Sequence, residues 1–469
     1  MKIKLGMSKS NMEDVARYCG GELYDFTGEA GNSFEYICTD SREADENTMF
    51  VATRGERVDG HDYIIKAIEE GCRCVLCEYV PTNISGKSVA YVVVDNSIDA
   101  FVDCARGYRQ GREILTVAIT GSVGKTTTKE LTAAILNKKY NTYFTQGNFN
   151  SVIGMPMSLM EATGDHEAAV FEMGMSGFGE IRRMTNAATP YVGMVTNIGS
   201  SHLEYLGTRE NIARAKLEIG EGIVDGGYLL LNGDEPLLVD HYSDRYDTVY
   251  VGFGENCSVK IDNVRVDGNG SCFDLYFADK SFYDLKISLI GKHFAYNAAF
   301  AAVAAHLLGA DERSIRDGLA SYKAGEMRMN IYGKDGVTVL ADCYNAAPES
   351  MMAAIDTLSS VSVKGKRIAV LGDMKELGKN SDSLHRSVGK YLAEKGVDLL
   401  FTLGESGALI AEAAISSGVD GDRAVSVKEA DGKEELAEII KEKLTDGDAI
   451  LFKASRSVKL EDVISLVFP

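Results

Sequence analysis

The run Thr120-Gly121-Ser122-Val123-Gly124-Lys125-Thr126-Thr127 has the residue types and spacing of a polyphosphate cradle. Gly121 and Gly124 permit a tight turn and close backbone approach, while successive N–H groups at a helix start point toward an anion. Lys125 can reach the β- and γ-phosphates of a nucleotide, and the Thr126 hydroxyl can ligate magnesium. The form is G-x-x-G-K-T; the outer glycine of the longer phosphate-loop pattern is replaced by Ile119. Its setting fits the mechanism, because the β-branched run ILTVAIT leads into the glycines and a helical pattern, KELTAAILNKKY, leads out. Kinases, switch GTPases and transport ATPases share such a loop, so it fixes a nucleotide site and leaves the reaction open.

Three further groups have no evident structural task. Glu172 ends the apolar run AAVFEM, His202 follows VTNIGSS, and Lys216 lies in the helical stretch NIARAKLEI. Ligands of α/β sheets gather beyond the carboxyl ends of strands, which puts Glu172 and His202 where a metal–phosphate site belongs. Taken singly each reads as an ordinary polar residue; beside the phosphate loop they read as a site. Cys72, Cys74 and Cys77 have a metal-like spacing but sit in GCRCVLCEYV, a buried-strand pattern with no second ligand pair, and read as small core residues.

The elements that must position these groups fall into three segments. Residues 1–113 alternate short apolar runs (MFVAT, CVLC, AYVVVD) with turns and one helical stretch, DYIIKAIEEG, as in a small α/β domain. Residues 114–325 carry the phosphate loop and further buried-strand runs, YVGMVTNI, YLLLN and TVYVGF, interleaved with helices; this predicts a mostly parallel, helix-covered sheet. Residues 326–469 alternate VTVLAD, KRIAVLG, VDLLFTL and DAILFK with helical stretches from Pro348, near His385 and from Glu405, the grammar of a doubly wound domain. No low-complexity linker or internal repeat interrupts the chain.

With 49 basic and 69 acidic residues, a net charge of -20 argues against a nucleic-acid surface. No run is long and apolar enough to span a bilayer, the first residues do not have a leader pattern, and the nine cysteines lack paired spacing. These features predict a cytoplasmic protein with no integral membrane association.

Along nearly its whole length the chain resembles the Mur ligase family, through TGSVGKTTT, TQGNFNSVIGMP, FEMGMSGFGEI, TNIGSSHLEYLGTRENIARAKLEI, GKHFAYNAAFAAVAAHLLG, MRMNIYGKDGVTVLADCYNAAPESM, VLGDMKELG and KASRSVKLED. The N-terminal TDSREADENTMFVATRGERVDGHDYI is similar to the part that holds the UDP moiety of the muramoyl substrate in that family. The resemblance implies an α/β protein of three domains: a small UDP-substrate domain, a central phosphate-loop ATPase domain and a C-terminal Rossmann-like, doubly wound domain. EMGM, GEI, the YNA-x-P-x-SM pattern and GDM-x-ELG look like the members that add D-alanyl-D-alanine.

It further implies ATP-dependent ligation of that dipeptide to UDP-N-acetylmuramoyl-tripeptide in peptidoglycan synthesis, through an acyl phosphate, by a monomer. Thr126, Glu172 and His202 would serve magnesium, with Lys216 carried as a carbamate. Asn297 would touch adenine, Arg328 phosphate and Asp342 ribose. Asn345, Ala346 and Pro348 would meet the dipeptide, and Ser41, Arg42, Asn148, Asn150 and Ser151 the UDP-linked substrate. Ser151, Cys343, Ala347 and Ala454 depart from the common family residues and bear on fine specificity. The ligase adding the preceding residue and a folylpolyglutamate synthetase are the nearer alternatives, the second disfavoured by the long N-terminal segment. A nucleotide switch is the alternative of another class, and Glu172, His202 and Lys216 speak against it.

Overall fold

A computed structural model describes the chain except residues 7–8, 29–30, 56–57, 83–87, 269, 279, 326 and 430. Residues 56–57 of the N-terminal motif, and residue 326 at the second expected boundary, therefore lie outside the described residues.

Three large sheets succeed one another along the chain. The first has six strands ordered Lys2–Lys4, Tyr36–Cys38, Thr48–Val51, Cys74–Cys77, Ala90–Val93 and Glu22–Asp25. Its inner four are parallel and its edges antiparallel. The cysteine-rich strand is core: burial pushes the Cys72 thiol up to about 11 and Cys77 to about 12, and Cys72 Sγ donates to Thr48 O at 3.2 Å. Among the described residues no group of three or more His, Cys, Asp or Glu is placed to hold a metal.

The second sheet has nine strands, beginning Thr142–Phe144, Ala168–Glu172, Leu115–Thr120, Val192–Val195, Gly227–Asn232 and Tyr246–Gly252, all parallel. Leu115–Thr120 is buried on both faces, which is why it reads as one apolar run. Val117 and Ile119 pack toward the helices Lys125–Leu136 and Lys292–Leu307, and Ala118 packs toward the opposite core. The sheet then turns antiparallel through Val259–Asp267, Gly270–Tyr276 and Ser281–Ile287. That meander was not foreseen from the sequence; its signal is the alternation in KIDNVRVD and SFYDLKI, which the search for continuous apolar runs passes over.

The third sheet orders Asn330–Lys334, Val337–Ala341, Ala449–Lys453, Arg367–Gly372, Leu399–Leu403 and Ala424–Val427, parallel after its first pair. Ile368 and Val370 face the core that contains Leu436 and Val463, whereas Ala369 and Leu371 face Met351, Val388 and Ile410. Helices thus cover both faces, as a doubly wound domain requires.

Candidate active site

In the central sheet Glu172 is in register with Ile119, and Val195 with Thr120, so three strand ends open side by side where the phosphate loop begins. The loop is splinted by the turn after Val195. Asn197 Oδ1 accepts from Ser122 N at 3.0 Å and Val123 N at 2.9 Å, Thr196 Oγ1 donates to Val123 O at 2.8 Å, and Gly199 N donates to Ser122 Oγ at 2.8 Å. Glycine is required twice. A side chain at Gly121, φ +150°, would run into Thr196 Oγ1, and one at Gly124, φ +83°, would come 2.6 Å from Asn297 Oδ1.

Glu172, only 3% exposed, accepts from Thr126 Oγ1 at 2.8 Å and Asn150 Nδ2 at 2.7 Å. Behind it lies Lys129, whose Nζ donates to Thr145 O at 2.8 Å and stands 3.9 Å from Glu172 Oε2. Burial lowers the pKa of Lys129, with Glu172 opposing. Lys125 Nζ donates to Gly121 O at 2.8 Å; burial lowers its pKa too, opposed by Glu172 and assisted by Arg328. Lys216 is 1% exposed on the helix Arg209–Leu217, and its amine has no hydrogen-bond or ion-pair partner among the described residues. Burial, then the charge of Lys125, hold its amine well below the ordinary lysine value, so it is readily neutral.

The C-terminal domain closes the other wall. The Arg328 guanidinium lies 3.7 Å over the Tyr344 ring. Asp342 accepts from Met329 N at 3.2 Å and from Lys453 Nζ at 2.6 Å, and Lys453 also holds Asn345 O at 2.9 Å. Contacts that bind this domain to the central one include His202 Nδ1, 2.8 Å from Glu376 Oε2, Ser200 Oγ, which donates to Glu349 Oε1 at 2.8 Å, and Glu204 N, which donates to Glu376 O at 3.3 Å. His202 and Glu376 both adopt left-handed backbone, at φ +66° and φ +63°, a cost borne where the two domains meet.

The resulting cleft, 520 Å³, is lined by Ser122 to Thr127 together with Asn150, Glu172, Asn297, Arg328, Asp342, Asn345 and Ala346. Pro348 starts the adjoining helix, Pro348–Ser360. Ser41 and Arg42 lie on a turn of the N-terminal domain outside this lining, where Arg42 Nη2 pairs with Asp40 at 2.6 Å. Asn148 and Ser151 are exposed on either side of Asn150. Sequence reading missed Asn197, Lys129, Glu349 and Glu376. Asn197 had a signal, as an asparagine following a buried run at a strand end, while Glu376 is a lone carboxylate that only the domain packing brings to His202.

Three family models match the chain: Mur ligase family, catalytic domain, over residues 33–109; Mur ligase middle domain over 119–305; and Mur ligase, glutamate ligase domain, over 327–456. The chain belongs to the Mur ligase family. Among Mur ligases it is 37% identical over 429 residues to the UDP-N-acetylmuramoyl-tripeptide--D-alanyl-D-alanine ligase of Bacillus subtilis (strain 168), covering 91% of this chain and 92% of the relative. The MurF ligase of Thermotoga maritima, solved in complex with ADP, superposes with a TM-score of 0.80 at 30% identity, covering 92% of this chain and 96% of that one. MurF from Acinetobacter baumannii gives a TM-score of 0.87 at 27% identity, covering 99% and 100%. The Mur ligase domains matched here follow the order of the three sheets, and no helix among the described residues is long and apolar enough to cross a membrane.

Proposed function

We propose that the chain is the ATP- and magnesium-dependent ligase that joins D-alanyl-D-alanine to UDP-N-acetylmuramoyl-tripeptide, producing the UDP-muramoyl-pentapeptide precursor of peptidoglycan as a cytoplasmic monomer. The observation that carries this reading is the single cleft in which the central phosphate loop faces Arg328, Asp342 and the Asn345–Ala347 segment, in a chain that matches a UDP-N-acetylmuramoyl-tripeptide--D-alanyl-D-alanine ligase over 91% of its length.

The tripeptide carboxylate attacks the γ-phosphorus, the bond to the β-phosphate oxygen breaks, and ADP leaves. The dipeptide amine then attacks the acyl carbon, phosphate departs, and the amine proton is released. Lys125 and Arg328 are assigned to the phosphates, where fixed positive charge offsets what develops in transfer. Asn297 is assigned to adenine and Asp342 to ribose. Ser41, Arg42, Asn148, Asn150 and Ser151 are assigned to the UDP-linked substrate, and Asn345, Ala346 and Pro348 to the dipeptide.

The Thr126 hydroxyl and Glu172 carboxylate, already 2.8 Å apart, are hard oxygen donors of the kind that hold magnesium together with substrate phosphates, and His202 completes the proposed set. Bound there, magnesium would neutralise phosphate charge. Lys216 is assigned as a carbamate: its neutral amine attacks carbon dioxide, an N–C bond forms and a proton goes to water, so that an anionic oxygen ligand replaces a cation. The buried, unpaired amine supports this. Lys216→Ala is expected to abolish ligation, and a small added carboxylate to restore part of it while leaving Lys125→Ala dead; full activity of Lys216→Ala would remove the assignment.

The function is tested by mass detection of product across a substrate panel. Pentapeptide is expected only when ATP, muramoyl tripeptide and D-alanyl-D-alanine are all present. Nucleotide hydrolysis that needs neither acceptor nor tripeptide would instead make the chain a switch.

A further inference from the structure

At the opposite end of the central sheet lies a second cavity, 430 Å³, between the N-terminal helices and the end of the central helix Glu180–Ala188, close to the start of the strand Leu115–Thr120. Six strand residues, roughly 20 Å at about 3.3 Å per residue, separate it from the phosphate loop. Its lining includes Arg17, Arg106, Arg109 and Arg112 and one carboxylate, Asp103. That concentration of positive charge stands out in a chain whose net charge is -20.

The two inner arginines differ in how they are satisfied. Arg109, 9% exposed, spends its fork on neutral acceptors: Ala188 O, Thr189 Oγ1 at 2.9 Å, Ile114 O at 3.1 Å and Thr116 Oγ1 at 2.5 Å. It thereby ties the N-terminal helix Ser97–Arg109 to the central domain, yet no carboxylate balances its charge. Arg112 reaches Ala162 O at 3.4 Å through Nη1 and lies 5.4 Å over the Tyr108 ring, while its Nη2, closed off from solvent, has no hydrogen-bond partner. Neither forms an ion pair among the described residues, and burial, followed by the charge of Arg112, lowers the pKa of Arg109 to about 10. Neighbouring guanidiniums with no carboxylate between them are costly unless an anion joins them. Arg17 and Arg106 stand on the rim, paired with Asp14 and, at 3.4 Å, with Asp103.

We propose that this cavity is a binding site for a small phosphate-bearing anion, held by the Arg112 guanidinium, which has no ion pair among the described residues, in the field of Arg109 and gathered by Arg17 and Arg106, which fastens the N-terminal domain to the central one. A guanidinium fork matches phosphate oxygens, and a multiply charged anion suits four arginines better than a monocarboxylate does. The site is independent of the reaction proposed for the cleft, since no cleft residue lines it.

The test is calorimetric titration of the full chain with inorganic phosphate at fixed ionic strength, using Lys125→Ala to weaken the phosphate loop. One saturable binding event is expected to persist in Lys125→Ala. It is expected to weaken about tenfold on adding Arg112→Gln, the loss of one charged hydrogen bond. The exposed double variant Arg17→Ala, Arg106→Ala, which leaves the buried fork intact, is expected to weaken it severalfold and steepen nothing in the melting curve. Arg112→Gln alone is expected to keep basal ligation. Absence of phosphate binding in Lys125→Ala, binding that survives Arg112→Gln, or equal binding of succinate would each overturn the proposal, the last by assigning the site to carboxylates.

Discussion

Gly124→Ala separates the phosphate-loop argument from general loop stability. The residue sits at φ +83°, where an alanine pays about 1–2 kcal/mol for left-handed backbone. Its new methyl would also lie 2.6 Å from Asn297 Oδ1, closer than such contacts allow. Asn297 is 8% exposed and has little room to turn, so driving it off its rotamer costs a further 0.5–1.5 kcal/mol, on the order of 2- to 10-fold in any affinity that depends on it. Gly226→Ala is the control: φ is +77° and a methyl there meets nothing within 4 Å. Both variants are expected to lose stability in denaturant melts, Gly124→Ala by about 0.5–1.5 kcal/mol more, and only Gly124→Ala is expected to raise the KM for ATP. Equal ATP constants in the two variants, or an unchanged one in Gly124→Ala, would refute the assignment of Asn297 and the cradle to nucleotide.

Lys125→Ala is expected to abolish ATP turnover with an unchanged melting profile, because its ammonium touches only Gly121 O; near-normal turnover would remove it from the site. Ser41→Ala with Arg42→Ala is expected to raise the KM for the UDP-linked substrate and spare kcat, as befits groups remote from the new bond; an unchanged KM would move the UDP site elsewhere. Burial pushes His293 down from 6.5 to about 4. The unfolded chain therefore takes up a proton that the folded chain refuses between those values, and stability falls as pH drops through that window. Since one unit is worth about 1.4 kcal/mol and the ring keeps some solvent contact, the loss is about 2 kcal/mol. His293→Asn is expected to flatten that limb of the stability curve, and an identical slope would show that other groups produce it.

The legible parts of the fold were those whose residues face apolar surroundings on both sides. Leu115–Thr120, Cys74–Cys77, Arg367–Gly372 and Ala449–Lys453 all read as continuous runs because helices cover both faces of their sheets. Val259–Asp267, Ser281–Ile287 and the edge strands Asn330–Lys334 and Ala424–Val427 were missed because several of their residues reach solvent, which dilutes the apolar signal, while the largely buried Gly270–Tyr276 is interrupted by Ser271 and Asp274. In the site, Thr126 and Glu172 could be paired on paper because each ends or follows a recognisable element. Lys129 could not: its sequence context, TTTKEL, is that of any helix surface, and only folding reveals that it is 1% exposed behind Glu172. Residues that act across domains, such as Glu349 and Glu376, acquire their partners from packing that no local pattern encodes.

The splint made by Asn197 narrows how the loop can meet phosphate. Ser122 N and Val123 N are already spent on its side chain, so they are not free to receive an anion. The first backbone bond of the following helix is Thr128 N to Gly124 O, which leaves the N–H groups from Gly124 to Thr127 as the unpaired donors of a helix start. Phosphate binding must therefore rest on that first turn and on Lys125, with the helix dipole behind it. This also explains how a chain of net charge -20 can attract a polyanion: the donors converge at one strand end, and Lys125, Lys129, Arg328 and Lys453 concentrate positive charge there. Glu172 is occupied by Thr126, Asn150 and Lys129, and Asp342 by Lys453, so neither carboxylate stands free against the phosphates. The sign of the local field, rather than the net charge, selects the ligand.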